Sequence, residues 1–312
     1  MTREVFGTLA DGRTVERLTI AAGHLTARLL TLGAILQDLR LDGIDRSLTV
    51  GSDRLADYEG NLQYHGTIAG PVANRIGGAE AVIAGRRCRF TANEGPNTLH
   101  GGSAATHRKL WQVADHRADA LALTLDLPDG EGGFPGNRRV EATFVARAPA
   151  SLTLTIRAAT DAPTLMNLTN HSYWQLAPDP RAPQTLTCPA ETRVALDAAK
   201  IPTGEITPVA GTPFDFRGGA PVGAGAFDLC LCLAPARRPL AHAATLTAGA
   251  LGLAVETTEA GLQIYDGHPA GGLAIEAQNW PGAAHHAHFP TDLVRPGEVL
   301  TQITRWRFSR HG

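Results

Sequence analysis

The chain has 312 residues, of which 43% are hydrophobic and 19% are charged, and its formal net charge is -2. This composition is typical of a globular protein with ample material for a core. Lys and Arg are spread along the chain and no apolar run is long enough to cross a bilayer, so we expect neither a nucleic-acid nor a membrane partner. Large all-β domains reach this length as one unit, and we therefore expect a single domain over residues 1–312.

The hydrophobic pattern is that of β-strands. Apolar and polar residues that alternate with a period of two indicate half-buried antiparallel strands. Such alternation, or a short apolar run bounded by turn-forming residues, predicts strands at 25–30, 121–127, 140–146, 152–158 and 251–255. The dominant local structure is therefore expected to be extended.

Helices contribute little to the predicted structure. Short helical turns are expected near 54–58 and 195–200, and we find no convincing amphipathic helix of about 12 or more residues. The 34 Gly and 20 Pro residues, which favour turns, are distributed along the whole chain. The sequence therefore predicts an all-β protein, one large sandwich of antiparallel sheets with long loops that carry the polar motifs.

The four cysteines, Cys88, Cys188, Cys230 and Cys232, form neither a Cys-x-x-Cys pair nor the spacing of a disulfide scaffold. We therefore expect buried thiols in a reducing compartment. The N-terminus shows no basic and then apolar signal pattern, which is why we expect a cytoplasmic location.

Two histidines and a glutamate could carry chemistry. His100 is followed by two glycines, His171 lies in a run of polar and aromatic residues, and Glu276 lies between apolar neighbours. Imidazole exchanges a proton near neutral pH. A carboxylate within an apolar run must be paired with a partner or held ready for proton transfer, because burying a lone charge is costly. If the three side chains meet in a cleft, they form an acid/base site that needs neither a nucleophile nor a metal.

Each of these residues also has a purely structural interpretation. His100 could be a satisfied structural histidine, with Gly101 and Gly102 either forming a turn or admitting a ligand close to the backbone. Glu276 could form an ion pair with Arg75 or with another Arg. Because the residue types alone do not decide between these alternatives, both stay open at this point.

Two further polar segments could bind a ligand. Residues 167–174 combine amides, hydroxyls and aromatic rings, which suits carbohydrate; the alternative is a polar strand end with Trp174 in the core. In residues 70–78, Asn74 and Arg75 can donate hydrogen bonds to a neutral polar ligand or a carboxylate, or else Arg75 is a buried residue that holds loops together. These segments predict a binding site for a small polar molecule.

Other chemical signals are weak. His285, His286 and His288 lie in a Gly- and Pro-bounded loop without carboxylate or Cys ligands nearby, so we predict no metal site there. No serine lies in a nucleophile-elbow pattern, and the Gly-rich residues 130–136 lack the lysine of a phosphate loop. None of these signals therefore predicts a metal site, a phosphate loop or a nucleophilic serine.

Taken together, the motifs resemble those of the aldose 1-epimerase (galactose mutarotase) family. They run in the family's order and cover nearly the whole chain, which makes them far more specific together than singly. The matching segments are 70–76, 93–102, 130–136, 166–174, 201–206, 212–216, 261–265, 276–278 and 293–298.

The resemblance implies a β-supersandwich fold and a cofactor-independent isomerase that interconverts the α and β anomers of a free monosaccharide such as galactose or glucose. It implies that His171 protonates the ring oxygen, that Glu276 takes the proton of the C1 hydroxyl, and that His100 assists at the ring oxygen. Glu276 should then be ionised and His171 protonated when ring opening starts. The resemblance also implies sugar contacts by Asn74, Arg75, Asp228 and Gln263, with Ser172 and Tyr173 beside the acid.

Two departures from the family pattern bear on specificity. Leu229 follows Asp228 where relatives usually have His, and residues 281–285 replace the usual Pro-Asp-Ala-x-Asn. We expect both changes to lie near the site and to affect sugar preference. Two other functions remain open, a hexose-phosphate 1-epimerase, which would need further cations in the cleft, and a non-catalytic sugar-binding sensor. We expect a monomer or a homodimer.

Overall fold

A computed structural model describes residues 2–179, 182–225 and 227–310. In this part of the chain the structure is almost entirely β, as the alternating pattern predicts. The helical segments are α1 (Leu55–Glu59) and four single 3-10 turns at Gly77–Ala79, Gly102–Ala104, Thr106–Arg108 and Glu131–Gly133.

The strands are joined by connections that range from tight turns to long loops, such as residues 42–67 between β4 and β5. The first half of the chain contains β1 (Thr2–Thr8), β2 (Thr14–Ala22), β3 (Leu25–Leu30), β4 (Leu36–Leu41), β5 (Ile68–Ala69), β6 (Arg75–Ile76), β7 (Glu80–Ile83), β8 (Arg86–Arg89), β9 (Thr98–Leu99), β10 (Gln112–His116), β11 (Ala120–Leu127), β12 (Arg138–Arg147) and β13 (Ser151–Thr160). The second half contains β14 (Thr164–Leu165), β15 (Thr169–Asn170), β16 (Tyr173–Trp174), β17 (Gln184–Thr187), β18 (Thr192–Leu196), β19 (Pro202–Pro208), β20 (Ala220–Val222), β21 (Asp228–Cys232), β22 (Ala241–Ala248), β23 (Leu251–Thr257), β24 (Gly261–Tyr265), β25 (Leu273–Gln278), β26 (Leu293–Val294) and β27 (Leu300–Arg310).

Within the described residues, three extended antiparallel sheets dominate the fold. One sheet has nine strands in the order β10-β11-β12-β13-β27-β23-β22-β17-β20. A second has six strands in the order β16-β25-β24-β21-β18-β19, and β1-β2-β3-β4 form a third. Side chains from all three sheets share one hydrophobic core, so the predicted sandwich of antiparallel sheets is confirmed.

The period-two alternation decides which side chains enter this core. In β12 and β13 buried and more exposed residues alternate, and Val140, Phe144, Leu152, Leu154 and Ile156 all point inward. Burying a large apolar side chain fully contributes about 1.5–3 kcal/mol relative to leaving it exposed. Polar residues on the outer face keep their contact with water, which fixes the register of the pairing.

The middle strands of the six-stranded sheet are buried on both faces. Every residue of β25 is buried, and four of the five residues of β24 are. Ile275, Ile264 and Leu229 point into the shared core. The alternate positions therefore face the other way, toward the long loops, and this second face carries the polar side chains of the site.

One of the two predicted helical turns is confirmed and the other is wrong. Residues 54–58 overlap α1, whereas residues 195–200 contain the end of β18 followed by a turn. Asp197 organises this turn, because its Oδ1 accepts hydrogen bonds from the N–H groups of Ala199 and Ile201. Pairing of β18 with β19 and β21 outweighs the local helical preference of the Ala-rich segment.

All four cysteines are free and buried, as expected from their spacing. Burial raises the pKa of the Cys188 thiol to about 11, which makes it unreactive at neutral pH. Separately, none of the helices found in the described ranges has the length and apolar character needed to traverse a membrane.

Candidate active site

A cavity of about 410 Å³ opens on the second face of the six-stranded sheet. Its size is at the lower end of the roughly 300–1,000 Å³ typical of small-molecule sites. Eight of the nine residues predicted for the site line it: Asn74, Arg75, His100, His171, Tyr173, Asp228, Gln263 and Glu276. Segments that are far apart in the sequence therefore meet as the resemblance implies.

The floor of the cavity is set by strand register. Gln263 of β24 lies opposite Glu276 of β25, and Asp228 of β21 lies opposite Tyr265. Directly paired residues project to the same side of a sheet, as do residues two apart. The alternation that sends Ile275 and its neighbours into the core therefore places these polar side chains side by side.

The opposite wall comes from the ribbon of β6 and β9. The N–H of Asn74 donates to Nδ1 of His100 at 3.2 Å, and the N–H of His100 donates to the carbonyl oxygen of Asn74 at 3.1 Å. Because Nδ1 accepts a hydrogen bond, the neutral ring carries its hydrogen on Nε2. Burial lowers the pKa of His100 well below its usual value, so His100 is a neutral hydrogen-bond donor.

The glycines after His100 serve backbone packing. Gly101 has a φ of 89°, and a Cβ there would lie 2.3 Å from the carbonyl oxygen of Gly70. Of the two interpretations of these glycines, the tight turn is therefore the one that applies at Gly101. It joins His100 closely to the segment that carries Asn74.

His171 and Glu276 form a buried pair. Nε2 of His171 lies 3.4 Å from Oε1 of Glu276, and the two residues are only 4% and 2% exposed. The alternative ion pair between Glu276 and Arg75 is wrong, because Arg75 instead binds both carboxylate oxygens of Glu94, at 2.6 and 2.8 Å. An acid and a base thus stand next to each other in the cavity.

Aromatic rings hold His171 in place. Its ring stacks between Tyr64, at a centroid distance of 5.8 Å, and Tyr173, at 5.1 Å. His100 meets the same ring edge-on at 5.3 Å. These rings fix the orientation of the imidazole and exclude water from it, which disfavours its charged form.

The protonation states that burial favours for His171 and Glu276 differ from those that the family resemblance implies. Burial lowers the pKa of His171 to about 4. Burial also raises the pKa of Glu276 well above its usual value, and the charge of Asp228 raises it further. Between the lowered pKa of His171 and the raised pKa of Glu276, the free site therefore holds one proton, and it resides on Glu276 rather than on His171. The state implied by the resemblance, with ionised Glu276 and protonated His171, contains the same number of protons as this state. The two states differ only in which of the two residues carries the proton.

Asp228 is held by two neighbours. Nζ of Lys200 donates to its Oδ2 at 2.7 Å, and Nε2 of Gln263 donates to its Oδ1 at 2.8 Å. Both oxygens are thus oriented before any ligand arrives. Lys200 is half exposed and lines the cavity, so this ion pair belongs to its surface.

Ser172 is the predicted site residue that does not line the cavity. It is 1% exposed, and its N–H donates to Oδ1 of Asn170 at 3.2 Å. His171 and Tyr173 point into the cavity, so the residue between them points away. The dense polar run at 167–174 is therefore not a continuous sugar-binding surface, and Trp174 lies in the core as its structural interpretation predicts.

The two departures from the family pattern lie outside the cavity lining, although Leu229 directly follows the lining residue Asp228. Leu229 is buried in the shared core on the opposite face of β21 from Asp228. In the 281–285 segment, His285 bonds to the carbonyl oxygen of Glu80 at 2.7 Å. Neither Leu229 nor residues 281–285 therefore contribute a side chain to the cavity wall.

The sequence reasoning missed several lining residues, namely Asn61, Gln63, Tyr64, Glu94, Lys200, Tyr265 and His268. Tyr265 could have been found, because it lies two residues from Gln263 and shares its face of the strand. Glu94 was within a recognised motif and is the partner of Arg75. Lys200 gives no signal, since a lysine in a turn is ordinarily solvated.

The histidines of the 285–288 loop hold that loop to neighbouring backbone. Nε2 of His286 bonds to the carbonyl oxygen of Pro202 at 3.1 Å, and Nε2 of His288 bonds to that of Gly204 at 2.8 Å. No group of three or more His, Cys, Asp or Glu side chains in the described part of the chain has an arrangement suited to a metal ion.

Comparison with known proteins agrees with this fold. The family model for aldose 1-epimerase matches residues 16–307. The chain is 32% identical to galactose mutarotase of Sus scrofa, over 99% of this chain and 98% of that protein. It is 31% identical to maltose epimerase of Levilactobacillus brevis, over 99% of each.

Solved structures give the same result. An aldose epimerase homologue from C. elegans superimposes with a TM-score of 0.88 at 28% identity, covering 95% of this chain and 99% of that one. The fold, the family model and these relatives thus indicate an isomerase with a β-supersandwich like that of galactose mutarotases. The chain belongs to the aldose 1-epimerase family.

Proposed function

We propose that this aldose 1-epimerase interconverts the α and β anomers of a free monosaccharide, with His171 as the acid and Glu276 as the base. The observation that carries the proposal is their separation of 3.4 Å within a polar cavity. The ring oxygen and the C1 hydroxyl oxygen of a sugar are both bonded to C1. Proton delivery to one and removal from the other therefore need a donor and an acceptor side by side.

The proposed reaction regenerates its catalyst. Glu276 takes the proton of the C1 hydroxyl, the C1–oxygen bond of the ring breaks with its electron pair going to the ring oxygen, and His171 protonates that oxygen. C1 rotates, and the ring closes on its other face as both transfers reverse. His100, a neutral donor, assists at the ring oxygen. No cofactor is needed, since the acid and the base exchange protons with the sugar alone.

Sugar binding itself favours the reactive proton arrangement. The C1 hydroxyl donates a hydrogen bond to the carboxylate of Glu276, and the ring oxygen accepts one from His171. Hydrogen bonds to a charged form stabilise that form. The proton that burial places on Glu276 therefore moves to His171 when the sugar occupies the cavity.

The charges of the cavity favour a neutral sugar over a phosphorylated one. Arg75 and Lys200 are its two Lys or Arg side chains in the described part, and each is paired with a carboxylate, Glu94 and Asp228 respectively. A phosphate would have to displace one of these partners. A pure sensor is disfavoured too, because binding alone does not need a desolvated carboxyl group beside an imidazole.

Polarimetry of freshly dissolved sugars tests the proposal. We expect faster decay of optical rotation with α-galactose or α-glucose than in buffer alone, to the same end point. Acceleration with a hexose phosphate only would favour the phosphosugar epimerase. Absence of acceleration with every sugar, together with measurable sugar binding, would favour the sensor.

Metal removal should leave the activity unchanged. Exhaustive treatment with EDTA, followed by polarimetry in metal-free buffer, is expected to give the untreated rate because the proposed steps use side-chain acids and bases alone. Activity that is lost and returns only with a divalent ion would contradict the mechanism. It would redirect attention to His285, His286 and His288.

The pH dependence of kcat/KM should show a broad plateau. Below about pH 4, the pKa of buried His171, the pair gains a second proton and Glu276 can no longer accept one. Above the raised pKa of Glu276 the pair loses its only proton, and His171 can no longer donate. Asp228→Asn removes a charge that raises the pKa of Glu276 and should therefore move the alkaline limb to lower pH.

The measurement is a kcat/KM profile of wild type and Asp228→Asn, corrected for spontaneous mutarotation at each pH. Asp126→Asn is the control, because Asp126 is an exposed carboxylate of β11 paired with Arg139. It should leave both limbs in place. An alkaline limb that stays unshifted in Asp228→Asn would mean that Asp228 acts only as a hydrogen-bonding contact to the sugar.

Three broader expectations belong to the same proposal. Residues 1–312 act as a single catalytic domain. The enzyme is cytoplasmic, consistent with four buried free thiols. It works as a monomer or a homodimer, with no nucleic-acid or membrane partner, on free sugars that diffuse into the cavity.

A further inference from the structure

Asn167 joins two of the segments that build the site through its backbone. Its N–H donates to the carbonyl oxygen of Pro71 at 2.7 Å, and its carbonyl oxygen accepts from the N–H of Ala73 at 2.6 Å. These bonds attach the segment that leads to Asn74 to the segment that leads to His171. Asn167 lies four residues before His171 in the chain.

The side chain of Asn167 reaches a third segment. Its Oδ1 accepts a hydrogen bond from the N–H of Asn279 at 2.9 Å. Asn279 lies three residues after Glu276 and just beyond Gln278, the last paired residue of β25. This hydrogen bond therefore holds the strand of the base at the point where the sheet ladder ends.

Asn279 is in turn held from the other side. Its Nδ2 donates to Oδ1 of Asp292 at 2.6 Å and to the carbonyl oxygen of Pro290 at 2.5 Å. The carbonyl oxygen of Asp292 accepts from the N–H of Met166 at 2.8 Å, which closes the circuit beside Asn167. The ring of contacts through Asn167, Asn279 and Asp292 is called the clasp below.

The clasp does not touch the substrate cavity. Asn167, Asn279 and Asp292 are 0%, 1% and 4% exposed, and none of them lines the cavity. Leaving a buried donor without a partner costs about 1–3 kcal/mol, so the N–H of Asn279 depends on its acceptor. The contribution of the clasp to catalysis must act through the residues that it positions.

We propose that the side chain of Asn167 is a positioning residue that sets the spacing between Glu276 and His171 through Asn279. The inference rests on the proposed function, in which these two residues are base and acid. The hydrogen bond between Asn167 and Asn279 lies close to both residues in the chain. Asn167 precedes His171 by four residues, and Asn279 follows Glu276 by three. A displacement of about 1 Å in a reacting group can cost about 10² in rate.

The test is Asn167→Ala, which removes Oδ1 and leaves the backbone bonds to Pro71 and Ala73 available. We expect kcat to fall by roughly ten- to a hundredfold. KM should change by less than about twofold, because the sugar contacts on the ribbon of β6 and β9 keep their anchor. A residue that served stability alone would not separate kcat from KM in the folded enzyme.

Asn167→Asp is the rescue variant. It keeps an oxygen at the Oδ1 position, and Nδ2 of Asn167 has no partner among the described residues, so its loss removes no hydrogen bond. We expect kcat to return to within a few-fold of wild type. If Asn167→Ala does not fold, Asn167→Leu decides instead, because it keeps the side-chain volume but lacks Oδ1 and should lower kcat at constant KM.

Gln37→Ala is the matched control. Gln37 is a buried amide of β4 whose Nε2 donates to the carbonyl oxygen of Ser52 at 3.0 Å, outside the segments that carry His171 and Glu276. Its loss should lower the melting temperature but leave kcat of the folded enzyme unchanged.

The outcomes separate the inference from the proposed function. Wild type that fails to accelerate mutarotation overturns both. Active wild type with an unchanged kcat in folded Asn167→Ala overturns the positioning role alone. An equal loss of kcat in Gln37→Ala would also overturn it, because any buried amide would then have the same effect.

Discussion

Glu276→Gln is expected to lower kcat for mutarotation by about 10²–10⁴-fold. The amide has nearly the shape of the carboxyl group but cannot take the proton of the C1 hydroxyl. KM should change little, because Asn74, Arg75 and Gln263 remain in place to bind the sugar. The measurement is polarimetry with freshly dissolved α-galactose under saturating conditions.

The stability of Glu276→Gln separates loss of catalysis from loss of fold. Burial raises the pKa of Glu276 above its value in the unfolded chain. The protonated carboxyl therefore favours the folded state, and this contribution is lost as the pH rises through the raised pKa. The glutamine amide does not ionise, so the variant has no such loss. The melting temperature of Glu276→Gln at alkaline pH should therefore equal or exceed that of wild type.

The matched control is Glu259→Gln. Glu259 is equally buried but lies outside the cavity and pairs with Arg237 at 3.1 Å. Its replacement should lower the melting temperature and leave kcat of the folded enzyme within a few-fold of wild type. Near-wild-type activity in Glu276→Gln would remove Glu276 from the role of base.

His171→Asn is expected to produce a loss of similar size, about 10²–10⁴-fold in kcat. The amide can donate a hydrogen bond to the ring oxygen but cannot transfer a proton to it. Because Asn is smaller, Tyr64 and Tyr173 lose their stacking partner, and a modest fall in melting temperature should accompany the kinetic effect. Stopped or continuous polarimetry and a thermal melt measure the two effects separately.

His107→Asn provides the comparison for His171. His107 is buried, packs against the ring of Tyr64 at 4.9 Å and does not line the cavity. Burial lowers its pKa to about 3, as it lowers that of His171 to about 4. Its variant should keep kcat, and an equal loss would mean that packing around Tyr64, rather than proton transfer, explains the effect at position 171.

Strand periodicity and family motifs predicted most of the fold. The alternation in residues 140–146 and 152–158 marks strands whose inner faces fill the core, because burial acts on every second residue. The turn after Asp197 was missed, because strand pairing with the next strand β19 and with the distant β21 decides that segment. Local composition carries no information about such long-range partners.

The candidate site was predicted for residues within motifs and missed for residues that arrive from elsewhere. Glu276 can be recognised in the sequence because it is a carboxylate within an apolar strand. Lys200, in contrast, reaches Asp228 from a turn 28 residues away. The orientation of Ser172 follows from the strand alternation that placed His171 and Tyr173 inward. The location of the shared proton needed the structure, since it depends on burial that three converging segments create together.

The double variant Glu276→Gln with His171→Asn tests most directly whether the two residues act as one acid/base unit. Side chains that act together in one step show strongly non-additive effects on rate. We predict that the double variant loses about as much kcat as the more impaired single variant, with the fold intact. Losses that multiply, so that the two changes in activation free energy simply add, would contradict concerted proton transfer by His171 and Glu276.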